Sequence, residues 1–187
     1  MAGSKIQVSY IFRAKGKFRS IEELFNSVDT ALPPWCESEV QVVPKGGANV
    51  GSIWGNLRWL SRLPLTDVRH VTGDIHYAVF ASNSARSILT IHDLRFFDES
   101  RGVRRFLFWI GWIVLPILRA DAVTVISDFT RERLCSCLPF GKGKIRVIPN
   151  CVGSEFVPSP RRWDPSHVRI LLVGTTRNKN LPRILEA

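Results

Sequence analysis

A histidine and an aspartate follow one of the predicted strands, at a position where a side chain can act on a bound molecule. His92 and Asp93 come directly after the apolar segment Ser87–Ile91. Because a residue after a strand lies at the edge of a sheet, His92 can donate a hydrogen bond to a bound hydroxyl or phosphate, or transfer a proton. The alternative is a histidine that packs against a helix and bonds a backbone carbonyl. The local sequence leaves both interpretations open.

A second group of titratable residues lies in the segment His70–Tyr77. His70, Asp74 and His76 carry imidazole and carboxylate groups, which suit zinc or manganese. No fourth ligand has a convincing spacing, and the turn at Gly73 does not ensure that the two rings converge. The segment therefore predicts a polar loop that faces a substrate, and no metal site.

A basic segment that begins with a glycine predicts a phosphate site. Gly174 follows the strand-like segment Val168–Val173, so backbone N–H groups there can approach an anion closely, and the helix that follows offers its positive end. Arg177 and Lys179 add positive charge suited to a diphosphate, and Asn180 can cap the helix. The segment has neither a Walker loop nor a Gly-x-Gly-x-x-Gly pattern. A solvated basic turn is the alternative.

The elements that must position these residues alternate between apolar strands and helices. The predicted strands are Gln7–Phe12, Glu39–Val43, Val68–Val71, Ile88–Ile91, Ala122–Ile126, Ile145–Ile148 and Val168–Val173. The predicted helices are Ser20–Thr30, Gly51–Arg62, Arg101–Arg119 and Asp128–Leu138, with the start of another at Leu181–Ala187. Several strands are continuously apolar, as in parallel sheets that are covered on both faces. The alternation predicts an α/β fold with a Rossmann-like, doubly wound parallel sheet.

Ligands of open parallel sheets bind beyond the carboxyl ends of the strands. Apart from the histidine segments, the residues that follow predicted strands include Arg13, Gly16 and Ser127. Because all these positions share one edge of the predicted sheet, we expect a polar site at that edge.

Composition and charge narrow the class of protein. The 187 residues are 45% hydrophobic and 22% charged, which is typical of a globular chain. With 26 Lys and Arg against 16 Asp and Glu, the net charge is +10, which favours nucleic acid, nucleotide phosphates or an acidic membrane surface as partners. The four cysteines do not form a disulfide framework, and the first residues lack the apolar region of a secretory signal. These features predict a cytoplasmic protein.

The longest apolar segment, Phe106–Leu118, is too short to span a bilayer, which takes about 20 residues. Trp109 and Trp112 lie within it. The arginines that flank it are Arg101, Arg104, Arg105 and Arg119. Tryptophans and basic flanks are typical of an interfacial helix on anionic lipid, whereas a helix that covers the sheet is the alternative.

A change in composition after Ile148 predicts a linker. Four prolines, together with glycine and polar residues, follow within a short distance. We therefore expect residues 1–149 to form an N-terminal domain, residues 150–167 to connect, and residues 168–187 to begin a second domain that binds a nucleotide.

Several segments, in order, resemble glycosyltransferase family 4, whose members have the two-domain GT-B architecture. The matching segments are His70–Tyr77, Leu89–Leu94, Ala120–Ser127, Lys144–Asn150, Phe156–Pro158, Leu171–Thr175 and Lys179–Leu181. The likeness covers nearly the whole chain, and the ordered set is more specific than any one segment.

The resemblance implies an enzyme that transfers a sugar with retention of configuration from a UDP- or GDP-linked donor to a carbohydrate or lipid-linked acceptor, without a metal or another cofactor. It places His92 opposite the donor sugar and Lys179 against the leaving diphosphate. The other donor-binding residues would be Gly174, Thr175, Arg177 and Asn180. The acceptor-side residues would be Arg13, Gly16, His70, Asp74, His76, Asp93 and Ser127.

Two departures from the family pattern bear on activity. Residues 150–153 read Asn-Cys-Val-Gly where the family commonly has Asn-Gly-Val-Asp, and the 20 residues of 168–187 do not contain the paired glutamates of its second domain. We therefore expect a fragment that is inactive alone, from an enzyme of polysaccharide or glycolipid synthesis on the cytoplasmic membrane face. The alternative is a basic module that binds nucleic acid or membranes without catalysis, although no nucleic-acid motif is present.

Overall fold

The computed structural model describes residues 5–16, 20–81, 84–94, 101–153, 156–160, 166, 171–172 and 181–186. The chain divides into two compact units, Met1–Gly153 and Ser154–Ala187. In the second unit the described helix is α6, Leu181–Glu186. The predicted strand Val168–Val173, apart from residues 171 and 172, and the predicted phosphate segment 174–180 lie outside the described residues.

The first unit contains a sheet of six parallel strands. They are β1 (Ile6–Phe12), β2 (Cys36–Val42), β3 (Val68–Val71), β4 (Arg86–Ile91), β5 (Ala122–Val125) and β6 (Ile145–Val147). Their order across the sheet is β2-β1-β3-β4-β5-β6, and every neighbouring pair is parallel. The predicted α/β fold with a Rossmann-like parallel sheet is confirmed.

The helices of this unit agree with the predicted positions to within a few residues. They are α1 (Ser20–Thr30), α2 (Val50–Leu60), α3 (Gly102–Phe108), α4 (Leu115–Arg119) and α5 (Asp128–Cys137). Two short 3₁₀ helices, His76–Ala81 and Pro139–Gly141, were not predicted. The single predicted helix over Arg101–Arg119 is interrupted, since a π-helix spans Trp109–Val114.

Strand β2 begins three residues earlier than predicted because it pairs with β1 along its whole length, from Ile6↔Cys36 to Phe12↔Val42. It is an edge strand, and much of it is exposed, so its hydrophobic pattern understates its length. Pairing with a neighbouring strand, rather than local composition, decides where this strand starts.

Two apolar clusters cover the two faces of the sheet. On one face, Ile11, Val71 and Leu89 lie side by side and form a core with residues of α2, the π-helix, α4 and α5. On the other face, Tyr10 and Phe12 pack against Phe25 of α1. Because successive residues of a strand point to opposite faces, one strand supplies both clusters.

A buried arginine holds the end of the first 3₁₀ helix. Arg69 is 1% exposed, and its guanidinium donates hydrogen bonds to the carbonyls of Ala81 at 3.0 Å and Pro64 at 3.1 Å. Burial lowers the pKa of this guanidinium. Ala81 is the last residue of the helix, so the positive charge lies where helix carbonyls lack partners.

A buried asparagine ties α2 to the loop after β2. The Asn56 amide nitrogen donates to the Lys45 carbonyl at 2.7 Å and to the Tyr77 hydroxyl at 2.8 Å, and its oxygen accepts from the Lys45 N–H at 3.0 Å. Asn56 is fully buried. Its side chain therefore pairs with both backbone groups of Lys45 and with the hydroxyl of Tyr77.

None of the described helices combines the length and the apolar character needed to cross a bilayer.

We predict that Asn56→Ala lowers the free energy of unfolding by about 3 kcal/mol, because three hydrogen bonds are lost and buried polar groups are left without partners. Tyr77→Phe removes one of the three and is expected to cost about 1 kcal/mol. Urea unfolding followed by tryptophan fluorescence measures both. Equal losses in the two variants would contradict the assigned role of Asn56.

Candidate functional site

The order of the strands creates a crevice at one edge of the sheet. The chain passes from β1 to β2 in one direction and from β2 past β1 to β3 in the other, so the connections after β1 and β3 diverge. Ligands of doubly wound sheets bind at this switch point, outside the carboxyl ends of the strands. Arg13 follows β1, and Gly73 and Asp74 come shortly after β3. The sequence-predicted residues Arg13 and Asp74 thus meet at the crevice.

An arginine bridges two carboxylates at this point. Arg13 contacts Glu22 of α1 through Nε–Oε1 at 3.0 Å and Nη2–Oε2 at 3.3 Å, and its Nη1 contacts Asp74 Oδ2 at 2.5 Å. Burial lowers the pKa of the Arg13 guanidinium, but its hydrogen bonds and ion pairs with Glu22 and Asp74 outweigh burial and leave that pKa raised. The result is a partly buried, charged group with fixed orientation.

Asp74 lies in a strained turn. Its φ of 52° places a non-glycine residue in the left-handed region, and the Ile75 N–H donates to the Gly73 carbonyl at 2.6 Å. Such conformations persist where the surroundings hold them and are common at functional sites. Here the contact with Arg13 holds the Asp74 carboxylate towards the crevice while its side chain keeps 44% exposure.

His92 reaches the crevice from the neighbouring strand. Its Nε2 lies 2.7 Å from the Thr72 carbonyl, so Nε2–H is the donor and, in the neutral ring, Nδ1 is the acceptor nitrogen. The bond to a backbone carbonyl is the alternative that the sequence left open, and the ring is nevertheless partly exposed beside Gly73. His92 is therefore oriented by the same turn that presents Asp74.

A hollow of about 360 Å³ opens next to this network. Its polar side chains come from the loop after β1 and from α1. The residues that line it are Phe12, Arg13, Lys15, Gly16, Glu22, Glu23, Asn26 and Val42. The volume falls in the range of small-molecule sites, and the lining offers both donors and acceptors of hydrogen bonds.

A narrower cleft lies on the other side of the ion pair. Asp74, His76 and Asp93 line it together with Phe108, Trp109 and Trp112. Its volume of about 20 Å³ admits about one water molecule. Asp74 lines the cleft and Arg13 lines the hollow, so the Arg13–Asp74 ion pair lies between the two cavities.

A proline explains the position of His76. Pro116 has no N–H, so the Trp112 carbonyl cannot accept the usual bond from the residue four positions later. His76 Nδ1 lies 2.7 Å from that carbonyl and donates to it. Burial is the largest effect on His76 and lowers the pKa of its ring, which is therefore neutral near physiological pH. A polar group of the cleft wall is thus satisfied by a side chain of another element.

His70 lies apart from the crevice. It sits within β3 rather than after it, packs against Phe25 with ring centroids 5.0 Å apart, and its Nε2 lies 2.7 Å from Thr90 Oγ1. It lines a separate hollow of about 260 Å³ under α1. Desolvation, followed by the charge of His92, lowers the pKa of His70 to about 3. Asp74 and His76 therefore line the narrow cleft, whereas His70 lines the separate hollow under α1.

Ser127 has a clear local task. Its hydroxyl accepts a hydrogen bond from the Thr130 N–H at 3.2 Å and so caps the first turn of α5. In the part of the chain that the structure describes, no three His, Cys, Asp or Glu side chains cluster as a metal site would require. The predicted donor-side residues Gly174, Thr175, Arg177, Lys179 and Asn180 lie outside the described residues.

The sequence did not single out Glu22, Lys15 or Asn26. Glu22 is one of two adjacent glutamates in the first turn of α1, and only the position of the helix shows that it faces Arg13. For Trp109 and Trp112 the sequence predicted only an interfacial helix or a helix that covers the sheet. The structure shows that both side chains line the cleft with Asp74.

We predict that Gly73→Ala lowers the free energy of unfolding by at least about 2 kcal/mol and displaces His92. A Cβ on Gly73 would lie 2.7 Å from His92 Cδ2, and the φ of 147° is one that side chains rarely adopt. Urea unfolding gives the stability, and the ring resonances of His92 in NMR spectra report the displacement.

Gly111→Ala is the matched control. Apart from the backbone of its own helix and its chain neighbours, no described atom lies within 4 Å of a Cβ built on Gly111, so the change is expected to be neutral or to stabilise by up to about 1 kcal/mol. If both substitutions have equal effects and His92 does not move, the contact between Gly73 and His92 does not constrain the site.

We predict that His70 makes the protein less stable in acid. The folded chain keeps this ring neutral down to about pH 3, whereas the unfolded chain binds a proton below about pH 6.5. Stability is therefore lost as pH falls from about 6.5, by about 3 kcal/mol at about pH 4.5. Urea midpoints of the natural chain and of His70→Gln across this range isolate the effect. A variant with the same pH dependence as the natural chain would contradict it.

The sequence of the chain matches a known protein family. No curated protein sequence matches the chain. The family model described as Glycosyltransferase Family 4 matches residues 5–156, which include all six strands and every described residue of the crevice. The resemblance inferred from the sequence is thereby confirmed, and the chain belongs to glycosyltransferase family 4.

Proposed function

We propose that the first unit forms the acceptor side of a retaining glycosyltransferase that takes its sugar from a UDP- or GDP-linked donor. Membership of the family supports a glycosyltransferase in general. The observation that carries the acceptor assignment is the Arg13–Asp74 ion pair, which lies at the switch point beside a hollow of about 360 Å³. The acceptor would be a carbohydrate or a lipid-linked sugar, in polysaccharide or glycolipid synthesis.

The charged network suits recognition of a sugar hydroxyl. A carboxylate accepts a hydrogen bond from a hydroxyl, and Asp74 keeps 44% exposure while Arg13 fixes its direction. An oriented group loses little further entropy when a ligand binds. Asp74 is therefore assigned to the acceptor, with Arg13 and Glu22 as the residues that position it, and Gly16 and Asp93 at the margins of the two spaces.

His92 is assigned to the reacting end of the donor. Its Nε2–H is held by the Thr72 carbonyl, which leaves Nδ1 as an acceptor for a hydroxyl of the transferred sugar. In the transfer, the bond between the anomeric carbon and the diphosphate oxygen breaks, the acceptor oxygen bonds to that carbon, and the proton of the acceptor hydroxyl passes to the departing diphosphate. Negative charge grows on the diphosphate, and a placed cation stabilises it.

Lys179 is the residue we assign to that charge, with Arg177 beside it and Gly174, Thr175 and Asn180 as further donor-binding residues. These assignments rest on the sequence and on the family resemblance. We further propose that transfer needs neither a metal nor a cofactor beyond the sugar nucleotide, that the chain is inactive by itself, and that it acts in the cytoplasm at a membrane face.

We predict that simple sugars bind the chain and that Arg13→Ala reduces this binding at least about tenfold, since the ion pair orients Asp74. Saturation-transfer NMR with glucose, mannose and N-acetylglucosamine as β-octyl glycosides measures it. Arg146→Ala, at an exposed arginine of β6 that bonds nearby carbonyls, is the charge-matched control and should bind normally. Absence of binding by every sugar, or equal binding by Arg13→Ala, overturns the acceptor assignment.

The assignment of the donor-binding residues has a separate test. Calorimetric titration with UDP and GDP is expected to show weak binding that favours one of them, because the chain carries only the start of the proposed nucleotide-binding domain. This weak binding should be lost in Lys179→Ala and kept in Lys142→Ala. If neither nucleotide binds, or if both lysine variants behave alike, the donor residues are wrong while the acceptor assignment still stands on the sugar arm. Incubation of the chain with UDP-glucose or GDP-mannose tests its inactivity.

A further inference from the structure

Helix α3, whose Phe108 lines the cleft, exposes an apolar surface. Val103 is 75% exposed, and Phe106 and Leu107 are each 63% exposed. They are spaced three and four residues apart, so they lie on adjoining parts of α3. Further along, Leu115 and Leu118 of α4 are also exposed. We call these five residues the α3–α4 patch. A contiguous apolar patch on a protein surface usually marks a contact with a partner or a membrane.

The tryptophans of this segment do not belong to the patch. Trp109 and Trp112 are partly buried and pack against the main core, and Trp112 also stacks edge-on against Tyr77 at 5.4 Å. The two interpretations left open by the sequence therefore apply to different parts of one segment. The π-helix and α4 anchor it to the sheet, whereas α3 projects its apolar residues outward.

Arginines surround the patch. Residues 101–119 contain four arginines and no acidic residue. Arg101 precedes α3, Arg105 lies in its last turn, and Arg119 ends α4; all three are exposed. Apolar side chains flanked by basic ones complement a bilayer whose surface is negatively charged. A second copy of this chain is a poor occupant, because each copy carries a net charge of +10 and would bring the same arginines to the contact.

We propose that the α3–α4 patch docks on the surface of an anionic bilayer, with Val103, Phe106 and Leu107 inserted among the lipids and the arginines at the headgroups. The same segment supplies Phe108, Trp109 and Trp112 to the cleft that Asp74 and His76 line. Docking therefore sets the crevice next to the membrane. If the crevice binds the acceptor, as the proposed function states, then docking implies that the acceptor is a sugar whose lipid anchor stays in the bilayer.

Vesicle co-sedimentation tests the docking. The full chain is expected to bind vesicles of phosphatidylcholine with phosphatidylglycerol more tightly than vesicles of phosphatidylcholine alone, and added salt should weaken this binding. The double variant Phe106→Ser with Leu107→Ser should bind at least about tenfold more weakly. Arg101→Gln with Arg105→Gln should lose roughly fivefold for each arginine. All four side chains are exposed, so unfolding midpoints should be unchanged, which separates lost docking from lost folding.

Helix α2 offers the matched control. Trp54 is 69% exposed on it, and Arg58 follows one turn later and is exposed as well. Trp54→Ser with Arg58→Gln removes an exposed aromatic and a charge elsewhere and should keep vesicle binding. Equal binding to neutral and anionic vesicles, or a loss that follows the α2 variant and spares the α3 variants, overturns the proposal.

The sugar assay separates this proposal from the proposed function. The Phe106 and Leu107 variant is expected to bind octyl glycosides in solution as the natural chain does, because its altered residues lie outside the crevice. Vesicle binding without sugar binding would remove the acceptor assignment and leave the docking surface intact. Sugar binding without vesicle binding would do the reverse.

Discussion

The reversal of direction between β1 and β3 is the constraint from which the site follows. A right-handed crossover from β1 to β2 carries α1 over one face of the sheet, and the return to β3 carries the chain over the other. The residues after β1 and β3 are then adjacent in space, while their connections separate. Arg13 and Asp74 are 61 positions apart in the chain and form an ion pair only for this reason. Glu22 joins them because α1 starts at the same edge.

The strain at Gly73 and Asp74 is the local consequence of that arrangement. A left-handed turn at Asp74 directs its carboxylate to Arg13, and the space that Gly73 leaves is taken by the ring of His92. Asp74 is therefore constrained by Arg13, which follows β1, and Gly73 is constrained by His92, which follows β4. Replacement of Gly73 would act on the backbone and on His92 together, and replacement of Asp74 would remove the ion pair with Arg13.

The π-helix links the crevice to the outer surface. Pro116 leaves the Trp112 carbonyl without its helical donor, and His76 supplies one. The Leu115 N–H bonds the Ile110 carbonyl, five residues back, so the turn is wider than in an α-helix. The segment can thus turn Trp109 and Trp112 towards the cleft while α3 exposes Phe106 and Leu107. One segment contacts the candidate site on one side and solvent on the other.

The sequence alone determined the class of fold, the approximate bounds of nearly every strand and helix of the first unit, and the family. Apolar runs are local signals, and they can be recognised without any knowledge of distant contacts. Ser127 was assigned to the acceptor side from the sequence, and the structure shows that its hydroxyl caps α5. The start of β2, the 3₁₀ helix after Asp74 and the interruption after Phe108 were not predicted, since strand pairing, the buried Arg69 and the bond from His76 decide them. His70 and His76 look equivalent in the sequence, yet one packs under α1 and the other faces the cleft, because successive strand residues and the turn that follows point to different sides of the sheet. The partners of Arg13 likewise depended on the order of the strands, which no local pattern encodes.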